Sequence, residues 1–451
     1  MAELNYSPLL ETQVAKRILS DSEIEQLAKQ YGTPLYVIDE VTLRRKLNEL
    51  KSAYNNFMGS VKIAYSMKAN FNPGVLKVFI SENILFDITS IGELYFYSRC
   101  GGRFENVIYT SVTEERDEYS EVLKKGVSTI VVSSYNGLSN LIEASSTLNV
   151  QPRVLIRVNP EVGVKAEVRA SYRYGKFGVP FNTSSLDSAK CLLKKILSTP
   201  HLKFEGFHFH LGSQITDPTC YINALDKLEN FILKMRKTYP DLSVNSIDIG
   251  GGTPVFYDEP VPTPYQIGSL VAERLNRMLS NLKCKFDLIV ESGRYLSAEA
   301  CVLISKVVNV KEYANQRYAF LDAGYHLLLD AALLRQPYPL DTIPKSFVKD
   351  DNVKVNVVGR LCDTYDVFVV PPSSNLSGIE CGKLVVFYNV GAYSIVFNMP
   401  FHCQTKPAIV MKLMDGRYVL TRKAQTLEEL FIEEGGGLDI QFTKNGSESI
   451  C

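Results

Sequence analysis

The feature that most constrains the fold is a series of eight short, apolar, β-rich runs between about residues 35 and 300. Longer stretches separate these runs, and their apolar residues recur at the spacings expected of helices that pack on one face. Such alternation predicts a parallel sheet covered by helices. Eight strands also suffice to close a (β/α)8 barrel, with an open, doubly wound sheet as the alternative. The predicted strands are residues 61–65, 84–89, 106–110, 128–133, 153–158, 204–209, 246–250 and 287–290.

After about residue 300 the pattern changes to short runs that are β-branched or alternating, with turn residues between them and no long helical pattern. This pattern is typical of an antiparallel sandwich or a small barrel. We therefore predict an α/β plus β protein, with a (β/α)8 barrel over residues 36–300. Residues 1–35 and 301–451 would form the C-terminal antiparallel β domain, to which the N-terminal part lends a strand. The last residues are polar, and we expect them to be loosely held.

Composition excludes several classes of protein. Lysine plus arginine equals aspartate plus glutamate at 49 each, so no bulk charge attracts nucleic acid or anionic lipid. No run approaches the ~18 apolar residues of a membrane span, and the start lacks a signal-peptide pattern. The nine cysteines include no CxxC pair, which argues against disulfides or zinc and favours the cytoplasm. His208 and His210 alternate on a predicted strand and should point to opposite faces, so we expect no metal site.

Polar residues collect at the C-terminal ends of the predicted strands, where (β/α)8 enzymes place their active sites. Each has an ordinary alternative: a lysine after a strand is usually solvated, Asp87 or Ser90 would cap the next helix, and a glycine triplet is more often a turn. We favour a functional site because six of the eight strands end in such groups. The groups are Lys68, Asp87, Arg157 with Asn159, His208 with His210 and Ser213, Gly250 to Gly252, and Glu291 with Arg294.

The residue types on this rim suit one cofactor, pyridoxal 5'-phosphate (PLP). The amine of Lys68 is able to form a Schiff base with an aldehyde. The glycine run 250–252 offers unobstructed backbone amides to a phosphate, to which Arg294 and Ser213 would add a charge and a hydroxyl. A carboxylate such as that of Glu291, facing a ring nitrogen, would keep the nitrogen protonated. A lysine, a phosphate cradle and a carboxylate are the parts that a PLP site needs.

Ten segments, in order, carry a resemblance to a known family: YSMKAN, FDITSIGEL, IRVNP, KFGV, HFHLGSQ, DIGGGTP, ESGR, LDAG, GRLCDTYD and NVGAY. Over roughly residues 30–410 the chain resembles the fold-type III PLP decarboxylases, the family of diaminopimelate, ornithine and arginine decarboxylases. The resemblance implies that Lys68 carries the cofactor, that His210 stacks on its ring and that Glu291 pairs with the pyridinium. The implied phosphate contacts and other cofactor-binding residues are Ser213, Gly250, Gly251, Gly252, Tyr393, Asp87, Arg157, Gly293 and Arg294.

The resemblance also implies a head-to-tail homodimer with active sites between the subunits. The partner would contribute Cys362, with Asp363 beside it. Without the family pattern, Cys362 would be interpreted as a small, buried hydrophobic residue. Within the family pattern it would reprotonate the α-carbon after the carboxylate leaves, and Lys68 would then release the amine product. The predicted catalytic residues are therefore Lys68, Cys362 and His210.

The predicted substrate site departs from the diaminopimelate decarboxylases. In the stretch after D-A-G, Asp330 and Leu334 stand where those enzymes typically carry an arginine and a tyrosine. A carboxylate in place of a cation should reject a distal carboxylate. Ser292 replaces the proline of the E-P-G-R motif, and Asp363 is closer to the ornithine type. We expect a basic amino acid matched by Asp322, Asp330 or Asp363, or a conjugated amino acid from a specialised pathway; Asp330 as a simple helix cap is the alternative.

Two rival functions use the same fold. A racemase or epimerase would also use Lys68 and a second acid, but its product retains the carboxylate, so CO2 release separates it from a decarboxylase. A non-catalytic regulatory relative would bind partners instead of substrate. The cysteine stretch argues against the first alternative, and the presence of Lys68, Glu291 and Cys362 together argues against the second.

Overall fold

The computed structural model describes residues 13–344, 354–376 and 378–438. The expectation that the last residues are loosely held concerns a segment that lies outside these ranges. Within them, the chain forms a closed barrel, a separate nine-stranded sheet and a two-stranded antiparallel sheet.

Eight parallel strands close into a barrel in chain order, as predicted. The last strand pairs with the first, placing Leu288 opposite Val61, so the open-sheet alternative is wrong. Side chains on the strands are buried on both faces, against the barrel interior and against the surrounding helices. The strands are Val61–Ser66, Leu85–Ile88, Val107–Tyr109, Thr129–Val132, Arg153–Arg157, Lys203–His208, Ser246–Asp248 and Asp287–Ser292.

Helices cover the outside of the barrel and begin at capping side chains. Ser134 and Ser188 each accept a hydrogen bond from the backbone N–H three residues further on. Thr263 does the same with Gln266, whose side chain reciprocates, and Pro264 occupies the first helical position. No helix in the described ranges is long and apolar enough to cross a membrane. The helices are Glu40–Ala53, Pro73–Ser81, Ile91–Arg99, Arg116–Lys124, Tyr135–Leu148, Ala189–Leu197, Thr219–Thr238 and Pro264–Leu282.

The second sheet is organised around one long strand, Cys301–Tyr313. Its first half pairs antiparallel with Leu35–Asp39 and Leu384–Phe387, and after a bulge its second half pairs with Gln316–Leu321. Most pairings are antiparallel, as predicted, but Leu35–Asp39 also pairs parallel with Ala408–Lys412. The other strands are Leu340–Ile343, Lys354–Val358, Val367–Phe368 and Tyr418–Arg422, and the remaining helices are Asp21–Tyr31, Arg294–Ser297, Leu329–Leu333 and Leu427–Glu433.

Two parts of the fold differ from the predicted arrangement. The N-terminal strand lent to the sheet is Leu35–Asp39, which runs past the predicted limit at residue 35; the domain limits themselves stay a prediction. A two-stranded antiparallel sheet of Ala166–Arg169 and Gly212–Ile215 was not predicted. Its first strand is largely exposed and polar, so it lacks the apolar run from which the barrel strands were predicted.

Candidate active site

Lys68 follows the first barrel strand, in the short 3-10 turn Met67–Ala69. Its Nζ lies 2.9 Å from Oδ2 of Asp87, at the end of the next strand. The Lys68 side chain is 41% exposed, whereas that of Asp87 is only 1% exposed. The carboxylate is therefore buried, and the lysine side chain is partly open to solvent. Burial alone would lower the pKa of Lys68, but the carboxylates of Asp87 and Glu291 raise it above its usual value.

Asp87 does not act as a helix cap. The helix Ile91–Arg99 is capped by Ser90, whose hydroxyl accepts the N–H of Glu93 at 3.1 Å. The carboxylate of Asp87 instead faces Lys68. Its second oxygen, Oδ1, is buried and lacks a hydrogen-bond partner among the described residues.

Glu291 ends the last barrel strand beside His208 of the sixth. Nε2 of His208 lies 3.2 Å from Oε1 of Glu291, although the two atoms are not aligned as a hydrogen bond, and both residues are buried. Burial would raise the pKa of Glu291, but His208 and Lys68 outweigh it and hold this pKa below its usual value. Behind them, burial and the charge of Glu291 raise the pKa of Asp248 well above its usual value. Of this pair, Glu291 is therefore the stronger acid and Asp248 the weaker one.

His208 and His210 do not point to opposite faces, so that prediction is wrong. The strand Lys203–His208 ends at His208, and the alternation of side chains stops there. His210 lies in the loop beyond, where its Nδ1 accepts the N–H of Gly251 at 3.1 Å. Burial, followed by Lys68, lowers the pKa of His210 to about 3. The ring is neutral, with its proton on Nε2.

Because the two histidines do not diverge, their orientation does not argue against a metal site. His208, Asp248 and Glu291 bring three possible ligand atoms within 4.8 Å of one another, all of them buried. Lys68 lies near enough to lower the pKa of Glu291, and Arg157 that of Asp248. Two cations already at the cluster disfavour a third positive charge. We therefore interpret the three residues as a hydrogen-bonding group.

The glycine run after the seventh strand forms a tight cradle. Gly252 has a φ of 125°, and a Cβ atom there would lie 2.5 Å from a side-chain carbon of Ile215. The N–H of Gly250 donates to Oδ1 of Asp248 at 2.8 Å, and that of Gly251 donates to His210. We expected all three amides to face a phosphate. Of the three, only the Gly252 amide has no recorded partner in the part of the chain that the structure describes.

Arg294 and Ser213 lie together beside this cradle. Nε of Arg294 donates to Oγ of Ser213 at 3.2 Å, and Nη1 donates to the Tyr257 hydroxyl at 3.1 Å. The guanidinium also lies 4.8 Å from the ring centre of Tyr393. Arg294 is not paired with Glu291, which was the ordinary alternative. A Cβ on Gly293 would come within 2.7 Å of the Cβ of Ala69, so this glycine lets the Lys68 turn approach the last strand.

Two acidic side chains lie near Arg294. Oδ2 of Asp330 is 3.7 Å from Nη2 of Arg294, and both side chains are only 6% exposed. Asp330 is not the N-cap of the helix Leu329–Leu333, because that position is Leu328. Burial raises the pKa of Asp330, and Arg294 opposes this. Glu167, on the largely exposed strand Ala166–Arg169, has its pKa raised by partial burial and by Asp330, with Arg294 opposing. Glu167 was not predicted as a site residue, because its strand was not predicted.

The other predicted site residues lie apart from this cluster or at its edge. Arg157 is 7% exposed, and its guanidinium lies 4.7 Å from the ring centre of Phe177. Asp322 is used within the second sheet, where its two oxygens accept from Thr33 and Ser305 at 2.6 and 2.7 Å. Its carboxylate is therefore occupied by structural bonds.

Cys362 and Asp363 lie in a loop of the second sheet. Cys362 is exposed, and its N–H donates to Nδ1 of His402 at 3.4 Å. Oδ1 of Asp363 accepts the N–H of Tyr365 at 2.8 Å. No contact between these residues and the Lys68 cluster is recorded within the described chain.

The cluster fits PLP in the chemistry of its side chains and in leaving a buried polar atom without a hydrogen-bond partner. Lys68 supplies an amine for an aldehyde, Glu291 a carboxylate for a ring nitrogen, and Arg294 a cation for a phosphate. A buried oxygen of Asp87, Oδ1, lacks a partner among the described residues, as expected where a polar ligand completes the site.

A family model for the pyridoxal binding domain of pyridoxal-dependent decarboxylases matches residues 41–298, more than half of the 451 residues. The chain belongs to the pyridoxal-dependent decarboxylases. PLP is its cofactor, and it is a carboxy-lyase that decarboxylates an amino acid. The predicted family, cofactor and reaction class are thereby confirmed.

Similar proteins match nearly the whole length of this chain, beyond the segment that the family model covers. The diaminopimelate decarboxylase of Vibrio cholerae is 30% identical over 91% of this chain and 94% of its own. That of Zymomonas mobilis is 27% identical over 92% and 96%. The crystal structure of the Helicobacter pylori diaminopimelate decarboxylase with L-lysine superposes with a TM-score of 0.81 at 25% identity, covering 92% of this chain and all of that one. The predicted barrel and β domain are confirmed.

Proposed function

We propose that this decarboxylase acts on an amino acid whose side chain ends in an ammonium group, in an active site that two copies of the chain complete together. The observation that carries the substrate assignment is the buried carboxylate of Asp330, 3.7 Å from Arg294. Asp330 and Glu167 together place two negative charges next to one positive charge.

The charge balance of this region favours a cationic substrate group. Once Arg294 faces the cofactor phosphate, its charge no longer balances Asp330 and Glu167. Burial raises the pKa of both carboxyl groups, and Arg294 is the positive charge that opposes this for each of them. A distal ammonium would relieve it, whereas a distal carboxylate would add a third negative charge. Curated relatives act on diaminopimelate by name, and the end of that molecule carries a carboxylate as well as an amine.

Lys68 would hold the cofactor aldehyde, and Asp87 would keep the amine in position between turnovers. Glu291 would face the ring nitrogen, and the neutral ring of His210 would cover one face. When bound, PLP withdraws the electrons of the bond to the departing carboxylate. Gly252, Ser213, Arg294 and Tyr393 would hold the phosphate, with Gly293 allowing the close approach of the Lys68 turn. Arg157 would contribute a buried positive charge near the ring.

The proton that replaces the carboxylate needs a donor other than Lys68, because Lys68 is assigned to the release of the product. His210 is neutral, and Glu291 is ionised. We assign the donor as Cys362 of the partner subunit. Cys362 of each chain is exposed, in a loop of the second sheet. Asp363 of the partner subunit would lie beside it and add to the acidic surroundings of the distal ammonium. This assignment requires a homodimer.

The deciding experiment measures CO2 release by the PLP-loaded protein from lysine, ornithine, arginine and meso-diaminopimelate, each enantiomer separately where two exist. We expect the highest kcat/KM for a substrate with a distal ammonium and no distal carboxylate. A higher value for meso-diaminopimelate would overturn the substrate assignment. Racemisation without CO2 release would overturn the assignment of these residues to decarboxylation.

A further inference from the structure

We propose that His208 is a positioning residue for the cofactor. It holds Oε1 of Glu291, so that the other carboxylate oxygen is directed at the ring nitrogen. The proposal rests on the proposed role of Glu291. It adds a residue that does not itself touch the cofactor.

The geometry supports this role. His208 is 1% exposed, and among the described residues neither ring nitrogen has a hydrogen-bond partner. Its Nε2 faces Oε1 of Glu291 at 3.2 Å, and a small rotation of either group would align the two atoms as a hydrogen bond. A buried imidazole without any partner is costly, so Glu291 is the contact that justifies a polar residue here.

Asp248 closes the arrangement from behind. Its Oδ1 accepts the N–H of Gly250 at 2.8 Å, which ties it to the glycine run. Burial and the charge of Glu291 raise the pKa of Asp248, so Asp248 is the weaker competitor for an N–H of His208. The other charged or titratable groups that face the pair are Lys68, Asp87, Arg157 and His210.

The role is specific to one atom of the cofactor. If His208 acts through Glu291, its loss should weaken only the contact with the ring nitrogen. If His208 merely fills the core, its loss should weaken binding of any ligand in this site. An analogue of PLP with a C–H group in place of the ring nitrogen separates these two cases, because it cannot bond to Glu291.

The test compares Kd for PLP and for this analogue in the wild type, in His208→Phe, which keeps most of the volume, and in His208→Gln, which restores an N–H donor. We expect His208→Phe to raise Kd for PLP by about ten- to a hundredfold. Kd for the analogue should change by less than about twofold, because no charge-assisted bond is lost. His208→Gln should restore part of the PLP affinity.

Equal weakening for both ligands, or for neither, would overturn the proposal. His201→Phe is the matched control, since this histidine precedes the same strand at its far end. A wild-type protein that binds both ligands equally would instead refute the role of Glu291, and thus the proposed function.

Discussion

Nζ of Lys68 lies 2.9 Å from Oδ2 of Asp87, although 19 positions separate the two residues in the chain. Neighbouring parallel strands create this proximity, because Ser66 pairs directly with Asp87. The carboxylate is buried, and the lysine side chain is partly exposed. The pair keeps the amine charged and directed towards the cofactor site.

Asp87→Asn should lower the pKa of Lys68. The carboxylate is the strongest influence that raises this pKa, and burial, which lowers it, would then dominate. The amine would become neutral at a lower pH, so the half-maximal pH for covalent capture of PLP should shift downwards. Stopped-flow absorbance across a pH series measures this. Asp287→Asn is the control, because Asp287 pairs with the exposed Lys62; an unshifted profile in Asp87→Asn would contradict the prediction.

Lys68→Ala should abolish covalent retention of PLP. After borohydride reduction, mass spectrometry should find the phosphopyridoxyl group on the wild type and on Lys62→Ala, but not on Lys68→Ala. Lys62 lies near the start of the strand that precedes Lys68. Retention on another lysine at full occupancy would show that Lys68 is not the attachment point.

Asp330→Asn should lower kcat/KM for the preferred basic substrate by about ten- to a hundredfold, the cost of a lost charge-assisted contact. Asp330→Arg should reduce it further and shift preference towards meso-diaminopimelate. Asp415→Asn is a surface control, since Asp415 pairs with the exposed Arg417. If Asp330→Asn changed activity towards all substrates equally, Asp330 would serve Arg294 and not the substrate.

Lys68→Ala and Cys362→Ala should each be nearly inactive alone but should complement each other. Random mixing of subunits produces one intact site in half of the dimers, so activity should recover to about a quarter of the wild type. The measurement is CO2 release after co-refolding or co-expression of the two variants. Activity no greater than the sum of the two parents would contradict a shared site.

Arg274 should be a major contributor to the stability of the barrel. Its guanidinium contacts Glu229 at 2.5 Å, and the two side chains are 7% and 9% exposed. Arg274→Ala leaves Glu229 buried without its cation and should lower the free energy of unfolding by about 3 kcal/mol. Asp226 also contacts Arg274 but is 53% exposed, so Asp226→Ala should cost less than about 1 kcal/mol. Urea denaturation of both variants tests the contrast.

The barrel could be predicted closely from the sequence because its strands are buried on both faces. The predicted run 153–158 corresponds to the observed strand Arg153–Arg157, and 61–65 to Val61–Ser66. The strand Ala166–Arg169 was not predicted because it is exposed and carries no apolar run. Glu167, one of the two carboxylates near Arg294, was missed with it.

Errors at the site came from positions where a strand ends. The alternation rule separated His208 from His210, but the strand stops at His208 and the loop returns His210 to the same cluster. The three glycine amides likewise look equivalent in sequence. In the structure, Asp248 and His210 already occupy two of them.

The sequence by itself determined the alternating strands and helices, the family and the types of group on the rim, because burial pattern and residue chemistry are local properties. Only the tertiary structure decided which groups meet. It directs Asp322 into hydrogen bonds within the second sheet and Asp330 towards Arg294, although eight positions separate the two aspartates. The physical reason is that ion pairs and hydrogen bonds depend on distances of a few ångströms, which are set by how strands and loops pack and not by order along the chain.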